Sequence, residues 1–274
     1  MNHEASGVSR RRPALRPVAG RRGDAFRRTK ALHDWVVSRL RYDNGSVTGA
    51  RKPQDAESVF RNRMGVCEGY AHLLVELGKF AGVPVEYGVG EVREPDGRQA
   101  PVGHAWNAAR IRDRWYSIDA TWDDPTVDGG GDADNDRTDY LFTPPSVAIF
   151  DHLPDEARWQ FLKEPFDRGA FLRQRMTRPG LAKLELELVS PERPVVDVAT
   201  DSIDVVLKNP RRLHLMVKVR PMGAADHTDC PSSDDGTLRA RCPLRAGPHD
   251  IRVYAGAAKY GVYRHIAQLA VHRR

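Results

Sequence analysis

A cysteine, a histidine and an aspartate, widely spaced in this chain, are the residue types that acyl-transfer chemistry asks for. Cys67 follows Gly65-Val66 and opens a run in which Tyr70, Leu73, Leu74, Leu77 and Phe80/Ala81 recur at helical spacing until Gly82 stops it. The spacing predicts a helix with Cys67 at its N-terminus. Unpaired amides and the positive end of the helix dipole favour thiolate over thiol there, and the thiolate is the nucleophilic form. A thiolate attacking an acyl group needs a base to take and return its proton, and that base needs a third group to fix its tautomer. His104, opening His104-Ala105-Trp106-Asn107, and Asp119, within Trp115-Tyr116-Ser117-Ile118-Asp119-Ala120-Thr121-Trp122-Asp123-Asp124, lie on successive expected strands and suit those roles.

Strand arithmetic leaves the third member open. A two-residue turn at Asp113-Arg114 sets Arg112 opposite Trp115, Ala108 opposite Asp119 and His104 opposite Asp123. His104, Ala108 and Asp119 then share a face, but His104 and Asp119 stand about 13 Å apart along it. Either a bulge closes that gap or Asp123 is the partner. Around this trio, Gln54 is a candidate second oxyanion donor beside the Cys67 backbone amide, and Trp106 either walls an acyl tunnel or fills the core. His72 rotates off the Cys67 face of the helix and is read as structural; Tyr70 is read as core.

The elements that must position these residues follow from punctuation. Leu32, Trp35, Val36, Arg39 and Leu40 predict an amphipathic helix ended by Tyr42-Asp43-Asn44-Gly45, and residues 53–60 predict a short helix with Asp55 as its cap. Extended runs follow at Val83 to Val92, His104 to Ile111 and Trp115 to Trp122. Helices first and an antiparallel sheet afterwards indicate an α+β domain over residues 29–175. Thr126 to Arg137 is a Gly/Asp-rich insert whose Asp132-Ala133-Asp134-Asn135-Asp136 mimics a calcium loop. It has Arg137 where Gly is required and Thr143 where the closing Glu belongs, so it reads as a solvated loop. Beyond Leu181, runs at 184–188, 203–207, 213–219, 251–255 and 266–271 alternate or stay apolar between Pro, Gly, Asn and Asp. Short strands without helices suggest a β-sandwich of immunoglobulin-like type over residues 176–274.

Composition narrows the partners. The 274 residues are 40% hydrophobic and 29% charged, with a net charge of +6, which describes a globular protein with room for two cores. No apolar run approaches the roughly 20 residues that cross a bilayer. Paired arginines crowd residues 1–28, which bury too little to fold and are expected to be a disordered basic arm. An acidic partner for this arm is compatible with it, whereas nucleic acid is not the expected partner. Residues 13–20 are proline-broken and charged, a poor fit to an export signal, so the compartment stays open with the cytoplasm favoured. Of the three cysteines, Cys230 and Cys242 could pair across a hairpin and leave Cys67 as the free thiol; no spacing suggests zinc.

The blocks Gly65-Val66-Cys67-Glu68-Gly69-Tyr70-Ala71, His104-Ala105-Trp106-Asn107 and Trp115 to Asp124 together resemble the three blocks of the transglutaminase-like superfamily. That resemblance implies a papain-like triad of Cys67, His104 and Asp119, and so favours Asp119 over Asp123. Asp139-Tyr140-Leu141-Phe142-Thr143-Pro144-Pro145, Asp151-His152-Leu153-Pro154 and Trp159-Gln160 resemble the kyphoscoliosis-peptidase branch, in which a β-rich domain follows the core; His152 is read as structural. The expected function is thiol-dependent acyl transfer on peptide or glutamine-type amides, with hydrolysis preferred over transfer to an amine. Water needs no acceptor site, and no calcium sites of the crosslinking enzymes are evident. No cofactor or metal is expected. The alternative is a catalytically silent module that binds protein or cell-wall peptide.

Overall fold

The computed structural model describes residues 24–94, 97–127, 138–174, 179–193 and 195–274. The arginine-rich arm up to residue 23 and most of the Gly/Asp insert, including its calcium-like aspartates, lie outside them.

Helix α1 (Ala25–Arg39) starts where the Asp24 carboxylate accepts the Phe26 N–H, and it buries His33, Val36 and Val37. The chain then forms β1 (Arg41–Tyr42), α2 (Asn44–Thr48, capped by Asp43), α3 (Ala56–Asn62, capped by Asp55), β2 (Met64–Gly65) and α4 (Cys67–Ala81). Helix α1 thus ends at Arg39 with Leu40 extended, before Tyr42 to Gly45, the residues expected to stop it, which instead complete β1 and open α2. β1 pairs in parallel with β2, setting Tyr42 opposite Gly65, two residues before Cys67. Helix α4 stops at Gly82, whose φ of 64° is the left-handed conformation glycine adopts without strain.

Strands β3 (Val85–Val92), β4 (His104–Ile111) and β5 (Arg114–Ile118) are followed by a helical turn α5 (Ala120–Asp123), β6 (Leu141–Thr143), α6 (Pro145–Ala148) and β7 (His152–Pro154). The five strands form one antiparallel sheet in the order β6-β5-β4-β3-β7. Alternation along β4 turns Ala109 and Ile111 into the core shared with Val36, Leu73 and Leu74, while Asn107 donates from Nδ2 to the Ala71 carbonyl at 3.0 Å, tying β4 to α4.

Two expectations change here. The β4–β5 turn is Arg112-Asp113, with φ of 50° and 63°, so Ile111 faces Arg114 and Asn107 faces Ile118. A turn of that hand matches the twist of the strands it joins. The assumed turn at Asp113-Arg114 is one residue late, and the correction slides Asp119 two residues toward His104. The strand expected to reach Trp122 also ends at Ile118, because Asp119 caps α5 instead of extending β5.

Past a 3₁₀ turn at Ala157–Gln160, α7 (Arg168–Arg173) and α8 (Pro179–Lys183) lead to β8 (Glu187–Ser190), β9 (Val195–Val198), β10 (Ser202–Lys208), β11 (His214–Pro221), β12 (Thr228–Asp229), β13 (Ser232–Asp234), β14 (Thr237–Pro243), β15 (Gly247–Gly256) and β16 (Tyr263–Arg273). They form a four-stranded sheet, β13-β14-β10-β8, and a five-stranded one, β12-β11-β15-β16-β9, resembling a sandwich. Leu188, Val205, Leu207, Val217, Ile251, Val253 and Leu269 belong to one buried cluster drawn from both sheets. The strand expected from Leu184 begins only at Glu187, since α8 runs to Lys183 and Glu185 has a φ of 59°. Ser232–Asp234 forms β13, paired with β14, and Cys230 and Cys242 are disulfide-bonded across that hairpin. Cys67 is the free cysteine among the described residues.

Candidate active site

The turn into α4 is built on Gln54. Its Oε1 accepts the Val66 N–H at 2.8 Å, its Nε2 donates to the Lys52 carbonyl at 3.1 Å, and its own carbonyl bonds His72 Nδ1 at 3.1 Å. Gly69 leaves room for this brace: a Cβ there would lie 2.5 Å from Gln54 Oε1 and 2.8 Å from Val59 Cγ2. Gln54, expected as an oxyanion donor, thus has both ends of its amide engaged with backbone and supports the cysteine turn. His72 stacks on Tyr87, and Tyr70 is buried with its hydroxyl donating to Asp124 at 2.5 Å. Gly69→Ala is expected to cost about 1–3 kcal/mol through overpacking. Denaturant unfolding checks this, and a loss below about 0.5 kcal/mol would mean that Gln54 moves aside freely.

Cys67 is the first residue of α4, and its sulfur faces the start of β4. Burial pushes its thiol pKa up. Hydrogen bonding and charge from His104, with the Ala105 N–H, outweigh burial and hold the pKa below the ordinary thiol value. His104 Nε2 lies 2.7 Å from Asp119 Oδ2, in a site where the two side chains are 8% and 1% exposed. Burial disfavours the imidazolium, but the charge and hydrogen bond of Asp119, then the contact with Cys67, raise His104 to about 10. Asp119 is held well below the usual carboxylate range: burial works against this, and the charges and hydrogen bonds of His104 and His152 overcome it. Its Oδ1 accepts the N–H groups of Thr121 and Trp122 at 3.0 and 3.1 Å, so capping α5 fixes the carboxylate while Oδ2 serves the imidazole.

Asp123, the alternative partner, belongs to another contact. It is fully buried, its Oδ2 lies 3.0 Å from His33 Nε2, and it accepts the Tyr140 N–H, joining α1 to the entry of β6. Trp106 is 6% exposed and stacks on His104 with ring centroids 6.1 Å apart. A small recess lined by Trp106, Ala108, Ser117, Ile149, His152 and Trp159 contains neither Cys67 nor His104. Trp106 therefore backs the imidazole.

Sequence reasoning set His152 aside as structural, yet its Nε2 lies 3.1 Å from the same Asp119 oxygen that His104 uses. Pairing of β7 with β3 brings it there, with Val92 opposite His152. Donor atoms of His104, Asp119 and His152 lie within 4.8 Å of one another, the spacing of a candidate metal cluster. Tetrahedral zinc ligands about 2.1 Å from the ion stand about 3.4 Å apart, whereas both nitrogens approach Oδ2 at 2.7 and 3.1 Å. That is the separation of a shared proton. A second residue missed was Tyr42, whose hydroxyl meets the backbone and sulfur of Cys67. Burial, then the negative charge of Cys67, push it up to about 12, which keeps it a neutral donor. The parallel β1–β2 bridge that places it leaves no periodic trace.

Residues 14–120 match the transglutaminase-like superfamily core. The chain thus carries a transglutaminase-like core, with helices packed on an antiparallel sheet and β-sheets following it. It is distantly homologous to kyphoscoliosis peptidase: 24% identical to the Homo sapiens protein and 23% to the Mus musculus protein, over 251 residues in each case. These matches take in 83% of this chain but 35% of each relative, so the chain spans about a third of the length of those curated relatives. Among solved structures, a Cytophaga hutchinsonii protein described as a candidate cysteine protease shares 29% identity over 35% of this chain and 32% of its own, with a TM-score of 0.29.

Proposed function

We propose that this protein is a thiol-dependent acyl-transfer enzyme acting on peptide or glutamine-type amides, with Cys67 as nucleophile, His104 as base and acid, and Asp119 as the group that orients the ring. The observation that carries this reading is the joint placement of a thiol of lowered pKa at the head of α4 and an imidazole whose far nitrogen is held by a buried carboxylate. The Cys67 thiolate attacks the carbonyl carbon. The oxyanion that forms lies near the Cys67 N–H, which has no partner within α4 because it opens the helix, with the neutral Tyr42 hydroxyl beside it. His104 gives its proton from Nδ1 to the departing amine, leaving a thioester. It then takes a proton from water as the water attacks, and the thiolate returns.

Hydrolysis is preferred to amine transfer because water needs no acceptor site of its own. Protein or peptide is the substrate class, in keeping with the transglutaminase-like core and with the name borne by the relatives from human and mouse. We further propose a basic arm that ends before α1, a catalytic unit from α1 to residue 175 and an immunoglobulin-like sandwich at 176–274; the boundary expected at residues 28–29 moves to the start of α1, because Ala25 and Phe26 pack on the core. Supporting this division, the large apolar clusters draw separately on residues 25–142 and 181–271. The reaction is tested by incubating the protein with glutamine-containing peptides, with and without a primary amine, and resolving products by mass. Cleaved or deamidated peptide that persists in excess amine is expected. A quantitative shift to amine adducts would overturn the preference for hydrolysis, and unchanged peptide throughout would overturn the acyl-transfer reading for this substrate class.

A further inference from the structure

We propose that His152 is a positioning residue, charged at neutral pH, that bridges Asp119 and Asp151. By sharing the Asp119 oxygen with His104, it limits how far Asp119 stabilises the His104 imidazolium.

The charge follows from donor counting. His152 Nδ1 lies 2.7 Å from Asp151 Oδ1 and Nε2 lies 3.1 Å from Asp119 Oδ2, so each ring nitrogen meets a carboxylate oxygen. Ionised carboxylates only accept, and only the imidazolium carries a proton on both nitrogens. The remaining oxygens are already supplied. Asp151 Oδ2 accepts from the Tyr140 hydroxyl at 2.7 Å, and Asp119 Oδ1 takes the two amides of α5. His152 is 2% exposed, so water cannot replace these contacts. Its ring centroid lies 4.5 Å from Trp122, 4.9 Å from Trp106 and 5.6 Å from Tyr140, aromatic surroundings that favour a cation. Burial opposes the charge, but Asp151 and Asp119 raise the His152 pKa despite it.

Among the described residues, four ionisable groups face this ring. His104 comes from β4, with ring centroids 5.7 Å apart; Asp119 heads α5; Asp151 precedes the ring; Tyr140 stands at the entry to β6. Behind Asp151 lies Arg93, fully buried, whose guanidinium donates to the carbonyls of Gly97, Phe150, Phe171 and Gln174 and so fixes the segment carrying Asp151. Two positive rings on one oxygen repel, and each weakens the other's hold on its proton. The consequence for turnover rests on the acyl-transfer reading: an imidazolium over-stabilised at Nε2 by an undivided buried carboxylate is slow to pass its Nδ1 proton to the leaving group.

Ring-nitrogen NMR of the wild-type protein at about pH 8, above the ordinary histidine pKa, reads the charge directly. Both His152 nitrogens are expected to be protonated, and a neutral tautomer would overturn the proposal. In His152→Gln, the pH midpoint of the His104 ring is expected to rise by about one unit as the neighbouring cation is lost. An unchanged or lowered midpoint sinks the tuning role, because a purely structural residue would alter stability without this upward shift. Neither measurement needs substrate. Wild type that turns over no amide yet shows the doubly protonated ring refutes the acyl-transfer reading alone, whereas active wild type with a neutral His152 refutes this inference alone.

Discussion

Replacing Cys67 with Ala is expected to lower amide turnover by at least about a thousandfold, leaving only what binding and the oxyanion donors supply. Stability should change by no more than about 0.5 kcal/mol: the residue is small and partly exposed, and the brace beneath its turn runs through Val66 and Gln54 and not through the sulfur. Rate assays on a responsive peptide, paired with denaturant unfolding, separate the two quantities. Retention of more than a tenth of the wild-type rate would remove Cys67 from the chemistry. A full loss accompanied by unfolding would assign it a structural task.

Asp119→Asn should be nearly as damaging, by a different route. The asparagine carbonyl can still accept the Thr121 and Trp122 amides, so the cap on α5 and the backbone survive. What is lost is the negative charge between two buried imidazoles. An amide NH₂ facing His104 Nε2 favours the wrong tautomer, the change for which losses of about 10⁴ in kcat are known in triads of this kind. His104 is raised to about 10 chiefly by this carboxylate, so its pKa should fall in the variant. The Cys67 thiol should then titrate higher, because the imidazolium that lowers it is present over less of the pH range. The rate and the pH profile of thiol reactivity must move together; a large rate loss with an unmoved profile would mean that Asp119 serves the fold only.

The readable parts of this molecule are those with long periodic runs or glycine punctuation. Helix α4 shows itself through Tyr70, Leu73, Leu74 and Leu77 and its Gly82 stop, and the longer sandwich strands through alternation. The β4–β5 register was misread because its turn uses Arg112 and Asp113 at positive φ, where no glycine marks the place. Strands β6 and β7 have three residues each, too few for any period to show, and they carry the segment that brings Tyr140, Asp151 and His152 behind Asp119. Asp151-His152 stands in the sequence as a plain dipeptide. Its meaning depends on β7 pairing with β3, a contact between residues 60 positions apart at Val92 and His152. Likewise strand pairing alone could not separate Asp119 from Asp123, four residues apart; the resemblance favoured Asp119, and the cap on α5 and the His33 contact give each its own partner.

The pH dependence of Cys67 alkylation by a neutral haloacetamide tests the central claim most directly. Burial alone would raise the thiol pKa, and His104 is what reverses the sign. In wild type the alkylation rate should therefore rise with a midpoint below about 8.5, the value of a free cysteine. His104→Ala should move that midpoint above it, as burial then acts without the imidazolium. A wild-type midpoint at or above the free-cysteine value, or one that His104→Ala leaves in place, would contradict an activated thiolate held by His104 and Asp119.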